Sequence, residues 1–230
     1  MAQKKKKNSN YVTEKTIQEQ LNREKANKAK RTKKLILLII AGVVGLALLV
    51  TLGIGISHVI NKNKSEFKVT HHAEITIANY GTLHIELYGE EAPETVKNFV
   101  TLANSGYYNG TTFHRIINNF MAQGGKGVTT DSITGEFESN GIENNIKLSR
   151  GTIAMARTDD PDSATSQFFI VQNTKGAEHL NGDYAGFGRV ISGMGVIDNI
   201  CKNAKPYDNN GSILPDNQPI ITSITIHAAH

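Results

Sequence analysis

Residues 35–56 run Leu-Ile-Leu-Leu-Ile-Ile-Ala-Gly-Val-Val-Gly-Leu-Ala-Leu-Leu-Val-Thr-Leu-Gly-Ile-Gly-Ile without a charge. As a helix at 1.5 Å per residue this stretch reaches roughly 33 Å, enough for a hydrocarbon core of about 30 Å. It is apolar all round, with no amphipathic period, which separates it from a half-buried core helix. The spacing predicts a single transmembrane helix over residues 35–57. Past residue 71 the pattern changes to alternation. Glu74-Ile75-Thr76-Ile77 and Leu83-His84-Ile85-Glu86-Leu87 flank the turn residues Asn79-Tyr80-Gly81 and predict two strands. Pro93 opens a helix at its first turn, Val96, Phe99, Val100 and Ala103 recur at helical spacing, and Gly106 supplies the stop. Ile153-Ala154-Met155-Ala156 and Phe168-Phe169-Ile170-Val171 read as buried strands. Val196, Ile197 and Ile200 predict a second helix, and the run from Ile220 to Ile226 a closing strand. Many strands with two helices suit an all-β-dominated domain, a closed barrel capped at its ends.

Charge divides the 230 residues in the same way. Residues 1–34 carry twelve Lys/Arg against three Glu, a net of +9. The remainder carries thirteen Lys/Arg against eighteen Asp/Glu, a net of −5. The basic overall balance therefore belongs to the arm, and nucleic-acid binding by the globular part is not expected. The arm has little apolar content and reads as a solvated topogenic segment that touches anionic lipid. Lysines and arginines outnumber those after the span, which orients the amino terminus to the cytoplasm and the rest outside the membrane. Ile54-Gly55-Ile56-Ser57 is a poor cleavage site, so residues 35–57 are expected to stay as a signal anchor in the bilayer. The alternative is a cleaved, secreted protein. Residues 58–71 form a polar tether, and a domain of residues 72–230 follows. The lone Cys201 excludes a disulfide framework within the chain.

Two runs carry the candidate chemistry: Phe113-His114-Arg115 through Gln123-Gly124-Gly125, and Ser166-Gln167-Phe168-Phe169-Ile170. They join one arginine, a glutamine and several large apolar side chains, with no nucleophile and no metal-ligand spacing. Such a set can grip an apolar ring and aim one fixed positive charge at an amide. His71, His72, His84, His114, His179, His227 and His230 lack the spacing of a metal site. Ser163 and Ser166 lack the Gly-x-Ser-x-Gly context of a hydrolase. At these runs, and at Gly151-Thr152-Ile153-Ala154-Met155-Ala156-Arg157 followed by Asp162-Ser163-Ala164-Thr165-Ser166-Gln167, the chain resembles the cyclophilin family of peptidyl-prolyl cis/trans isomerases, most of all its small bacterial members. The resemblance covers about residues 72–228.

The resemblance implies a closed eight-stranded antiparallel barrel capped by two helices, with no cofactor and no metal. It implies an isomerase of Xaa-Pro bonds in exported or surface proteins. Arg115 takes the catalytic role, assisted by Gln123. Phe113 (flanking), Phe120, Met121, Phe169 and Leu180 line the proline socket. Ala156, Arg157, Gln167 and Tyr184 hold the extended proline-containing peptide. Four departures stand out. Asn118-Asn119 replaces Pro-Gly and is expected to loosen the turn before Phe120. Arg157 stands where many members have Asn. His179 takes the place of a Trp that supports cyclosporin binding, so cyclosporin is expected to bind weakly. Tyr184 replaces His. In addition Gly186 is smaller than the usual Val and is expected to soften the neighbouring wall. A groove that only holds proline segments, as a holdase or adhesion scaffold, is the competing reading.

Overall fold

Strand β1 (His71–Ile77) sets the pattern: Ala73, Ile75 and Ile77 are buried, and His72, Glu74 and Thr76 are not. Alternation of this kind lets one face join a core while the other meets water. In the computed structural model, which describes residues 67–229 together with Lys28 and Lys30, β1 pairs antiparallel with β2 (Gly81–Leu87). The turn between them places Asn79 at φ 64°, a left-handed conformation that Asn tolerates better than most residues. The expected anchor, and the arm apart from Lys28 and Lys30, lie outside the described residues. Among the described residues no helix is long and apolar enough to cross a membrane.

The remaining strands are β3 (Phe113–Ile117), β4 (Met121–Gly124), β5 (Thr152–Met155), β6 (Phe168–Val171), β7 (Gly186–Ser192) and β8 (Ile221–Ala228). They form one eight-stranded sheet in the order β3-β4-β6-β5-β7-β2-β1-β8, every neighbour antiparallel. Helix α1 (Pro93–Asn104) buries Val96, Phe99 and Ala103. No side chain caps its start; the buried Glu136 carboxylate instead accepts hydrogen bonds from the Glu94 and Thr95 backbone N–H groups, at 2.9 and 2.8 Å. An acidic group at a helix amino terminus satisfies free donors and matches the helix dipole. After the single turn α2 (Thr174–Ala177), helix α3 (Met194–Asn203) buries Ile197, Ile200 and Cys201. Phe99 meets the rings of Tyr108, Phe168 and Phe187 at 5.2–5.6 Å, and these side chains belong to the main core.

The sheet is curled but does not close as the expected barrel. Its edges, β3 and β8, share no continuous ladder; they meet at an isolated bridge between Thr112 and Ile220, where Ile221 N–H donates to Thr111 O and Gly110 N–H to Ile221 O, both at 2.8 Å. Phe113 N–H donates to the Pro219 carbonyl at 2.9 Å, but a proline has no N–H to return, so the ladder cannot extend there. Farther along, the outer edge of β3 is taken by a loop: Ile116 N–H donates to Gly211 O at 2.8 Å, and Ile213 N–H donates to His114 O at 2.9 Å.

Two local expectations are also corrected. The Asn118-Asn119 turn is tied down rather than loose. Phe120 N–H closes it onto Ile117 O at 3.1 Å, Asn119 takes the left-handed φ of 62°, and the Gln172 side chain accepts from Asn119 N–H at 2.6 Å and donates to Asn118 Oδ1 at 3.3 Å. The wall at Gly186 is not thin either: a Cβ there would lie 2.7 Å from Ile146 Cγ2, so Ile146 already occupies that space.

Candidate active site

The run Phe168-Phe169-Ile170-Val171 is apolar throughout because the sheet is covered on both faces there. Phe168 and Ile170 point into the main core, packed with Phe113, Ile116, Ala122, Ile153 and Met155. Phe169 and Val171 belong to a second cluster with Met121, Leu148, Ala154 and Ala177, flanked by the partly exposed Phe120, Ala156, Leu180 and Tyr184. Met121 and Phe169 are 1% and 4% exposed, which makes them a floor, and the four partly exposed residues form its rim.

The polar arm shares this second face through strand register. Arg115 stands opposite Gln123, Gln123 opposite Phe169, and Phe169 opposite Ala154. Directly opposed residues lie on one face of a sheet, so this is a single row across β3, β4, β6 and β5. Arg115 reaches that face because of a β-bulge. Phe113 pairs with Gly124 and Arg115 with Gln123, so His114 is the extra residue on β3. Without it, Phe113 and Arg115 would share a face. With it, Phe113 is fully buried in the main core, edge-on to Phe168 with ring centroids 6.1 Å apart, and is not a socket residue. This places the expected flanking residue behind the sheet.

The guanidinium is held from two sides. Arg115 Nη1 donates to Gln123 Oε1 at 3.1 Å, and Arg115 Nε donates to the Asn210 carbonyl at 2.8 Å. Gln123 Nε2 then donates to Gln167 Oε1 at 3.1 Å. None of the three ion pairs among the described residues involves Arg115, which leaves its charge without a carboxylate partner there. Burial, with Lys126 nearby, holds His114 below the usual imidazole range, so it is neutral at neutral pH and adds no second charge beside Arg115.

On the far rim Tyr184 packs edge-on against Phe169, centroids 5.7 Å apart. Arg157 lies between two rings, its guanidinium carbon 4.7 Å from the centroid of Tyr184 and 5.0 Å from that of Phe137. Its Nε donates to Asp183 O at 2.9 Å and its Nη1 to Thr158 O at 2.8 Å, so it braces the rim. Ala156 follows β5, with its N–H committed to Gln167 O at 2.9 Å. The ring of His179 lies 5.7 Å from that of Phe120.

Arg115, Gln123, Gln167, Phe120, Met121, Ala156, Phe169, Leu180 and Tyr184 are thus linked by hydrogen bonds or packing. Sequence reasoning missed Asn210, which contributes only a backbone carbonyl from 95 residues away. The turn-forming run Asp208-Asn209-Asn210-Gly211 was a visible signal for a loop, though not for its target. Phe137 was missed because an isolated aromatic between Glu136 and Glu138 has no periodic partner.

The arrangement offers an apolar shelf with the Arg115 guanidinium fixed on one side of it and Arg157 stacked into the opposite rim. Comparison with known proteins agrees. The model for the family described as cyclophilin type peptidyl-prolyl cis-trans isomerase/CLD matches residues 72–229. The peptidyl-prolyl cis-trans isomerase of Acinetobacter baylyi is 47% identical over 127 residues, 53% of this chain and 68% of that protein. Peptidyl-prolyl cis-trans isomerase B of Escherichia coli is 42% identical over 156 residues, 64% of this chain and 95% of that one. The crystal structure of a Cryptosporidium parvum cyclophilin type isomerase in the presence of the dipeptide Ala-Pro superposes with a TM-score of 0.57 at 31% identity, covering 69% of this chain and 99% of that one. The paired runs around Arg115 and Phe169, the eight-stranded sheet and these relatives lead to one conclusion: the chain belongs to the cyclophilin-type family, and its enzyme class is peptidyl-prolyl cis-trans isomerase.

Proposed function

We propose that the chain speeds Xaa-Pro rotation by seating the proline ring on Met121 and Phe169, within the rim of Phe120, Leu180 and Tyr184, while Arg115 faces the prolyl nitrogen. Resonance with the carbonyl makes the amide resist rotation by about 18–20 kcal/mol. Twisting the bond localises the nitrogen lone pair. A hydrogen-bonding cation there stabilises the twisted state more than the planar one, which is the differential binding that lowers a barrier. Arginine suits the task because it stays charged and presents its donors in a rigid fork. The observation that carries this reading is the row Arg115–Gln123–Phe169, which ties the cation to the shelf through backbone pairing. The departures at Asn118-Asn119 and Gly186, expected to loosen the site, are both accommodated, the turn by Gln172 and the wall by Ile146, which supports turnover over a groove for holding alone.

Proline-containing polypeptides are the substrates, in keeping with the Ala-Pro used with the Cryptosporidium relative. The apolar run of residues 35–56, with its basic approach, supports an anchored enzyme acting on exported or surface proteins outside the cytoplasmic membrane. Amino-terminal sequencing of the mature protein separates this from a cleaved, secreted form. His179 gives cyclosporin a smaller surface than Trp, which supports weak inhibition. In a protease-coupled proline-peptide assay, Arg115→Ala lowers kcat/KM at least about tenfold, in line with ~2.7–4 kcal/mol for one well-placed transition-state donor. Parental activity in that variant removes Arg115 from the mechanism.

A further inference from the structure

One of the two partners of Arg115 is a backbone carbonyl on a loop, and that loop needs its own support. Residues 206–213 belong to no helix or regular strand. The arms of the loop meet at an isolated bridge between Pro206 and Ile213, and Tyr207 N–H donates to Ser212 O at 3.0 Å. Its tip is organised by one side chain. Asp208 Oδ1 accepts from Asn210 N–H at 3.0 Å and from Ser212 N–H at 2.9 Å, on both sides of Gly211. The Asp208 carbonyl accepts from Gly211 N–H at 3.3 Å. In a trans peptide the N–H and the preceding C=O point in opposite directions. With Gly211 N–H turned back toward Asp208, the Asn210 carbonyl points away from the tip, toward Arg115 Nε.

Packing supports the tip on one side only. An open hollow of about 140 Å³ lies beside the tip, bounded by Ile116, Ile117, Asn118, Cys201, Ala204 and the loop itself. Gly211 sits at φ +85° and passes so close to β3 that a Cβ would lie 2.5 Å from Ile117 Cγ1. The tip is held to β3 at Gly211, by close approach and by the bond from Ile116 N–H to Gly211 O, and is open on another side, where the carboxylate sets the angle of the Asn210 peptide. The backbone donors of Ser212 and the residues beside it hold the Asp208 carboxyl below the usual range, as expected of a carboxylate acting as acceptor.

We propose that Asp208 is a positioning residue for isomerisation, fixing the Asn210 carbonyl and through it the direction of the Arg115 guanidinium. This rests on Arg115 being the catalytic cation. Asp208 makes no hydrogen bond or ion pair with Arg115 among the described residues, and it acts through the loop.

The test uses the full chain, with Asp208→Ala and Asp208→Asn alone and Asp208→Ala combined with Arg115→Ala. Proline-peptide isomerisation gives kcat/KM, and NMR of the arginine Nε–H groups reports the Arg115 hydrogen bond, its peak assigned by loss in Arg115→Ala. Asp208→Ala is expected to lower kcat/KM about three- to tenfold and to shift the Arg115 peak, with the melting temperature held. Asp208→Asn, which keeps the acceptor oxygen, retains activity within about twofold and leaves the peak in place. In the Arg115→Ala background Asp208→Ala costs nothing further. Unchanged activity or an unmoved peak in Asp208→Ala overturns the proposal, as does an equal loss in the Arg115→Ala background. If Arg115→Ala alone keeps parental activity, the catalytic reading of Arg115 fails, while the Nε–H peak still reports separately whether Asp208 orients that side chain.

Discussion

Gln123 offers the sharpest test of how the cation is used, because one substitution loosens Arg115 and another neutralises it. Its Oε1 lies 3.1 Å from Arg115 Nη1, and its Nε2 donates to Gln167. A hydrogen bond to a charged group contributes about 1.5–3 kcal/mol. The site is partly exposed and Arg115 keeps its bond to Asn210, so the lower end applies. Gln123→Ala should therefore cost about 1.5 kcal/mol in the transition state, roughly a tenfold fall in kcat/KM. Gln123→Glu keeps an oxygen at the same place and holds the guanidinium at least as firmly. Opposite charges about 4 Å apart attract by roughly 4 kcal/mol at an effective dielectric near 20. That attraction competes with the prolyl nitrogen for the same cation. If charge at the nitrogen drives the reaction, Gln123→Glu loses at least as much activity as Gln123→Ala while its melting temperature stays equal or rises. The assay is kcat/KM on a proline tetrapeptide, paired with thermal unfolding. Parental activity in Gln123→Glu, or a loss below about twofold in Gln123→Ala, refutes the reasoning.

Three further outcomes are expected. Gly186→Val drives a side chain into Ile146 Cγ2 and should destabilise by ~1–3 kcal/mol, with part of the loss recovered by adding Ile146→Ala; an unchanged melting temperature contradicts the contact. Arg150 forms a bidentate pair with Asp198, at 2.8 and 2.6 Å, and depresses that carboxyl in the folded chain. Its stabilising effect is thus full above the unfolded value of ~3.9 and fades as pH falls through the lower folded value. With both side chains nearly half exposed the effect is at most about 1 kcal/mol, and Asp198→Asn should flatten the acid-side decline of the melting temperature. His179→Trp enlarges the surface beside Phe120 and should tighten cyclosporin binding by calorimetry; equal affinity separates this position from inhibition.

The residues that gave themselves away in the sequence are those whose neighbours are local. Ile75 and Ile77 alternate with polar partners, and Val96, Phe99 and Ala103 keep helical spacing, so β1 and α1 were legible directly. Phe168 and Phe169 were readable as buried, but not as facing opposite ways, because a sheet covered on both faces loses its alternation. Arg115, Gln123 and Phe169 were found by resemblance. No spacing rule links them, since their proximity comes from pairing between strands. Asn210 and Asp208 were invisible because one works through a backbone carbonyl and the other through backbone N–H groups. The incomplete closure of the sheet turns on Pro219 and on the loop at Gly211, details that a strand count does not contain.

The single surplus residue at His114 has a consequence for how this chain can vary. Surface loops can gain or lose residues while the sheet stays as it is. Deleting one residue at this step would let β3 keep its bonds to β4 and yet change the parity of everything upstream or downstream of the gap. Either the guanidinium would be driven inward among Phe168 and Ile116, or the Phe113 ring would be turned out into water. A shortened chain could still assemble a sheet, but the Arg115 cation and the oily shelf would no longer look the same way.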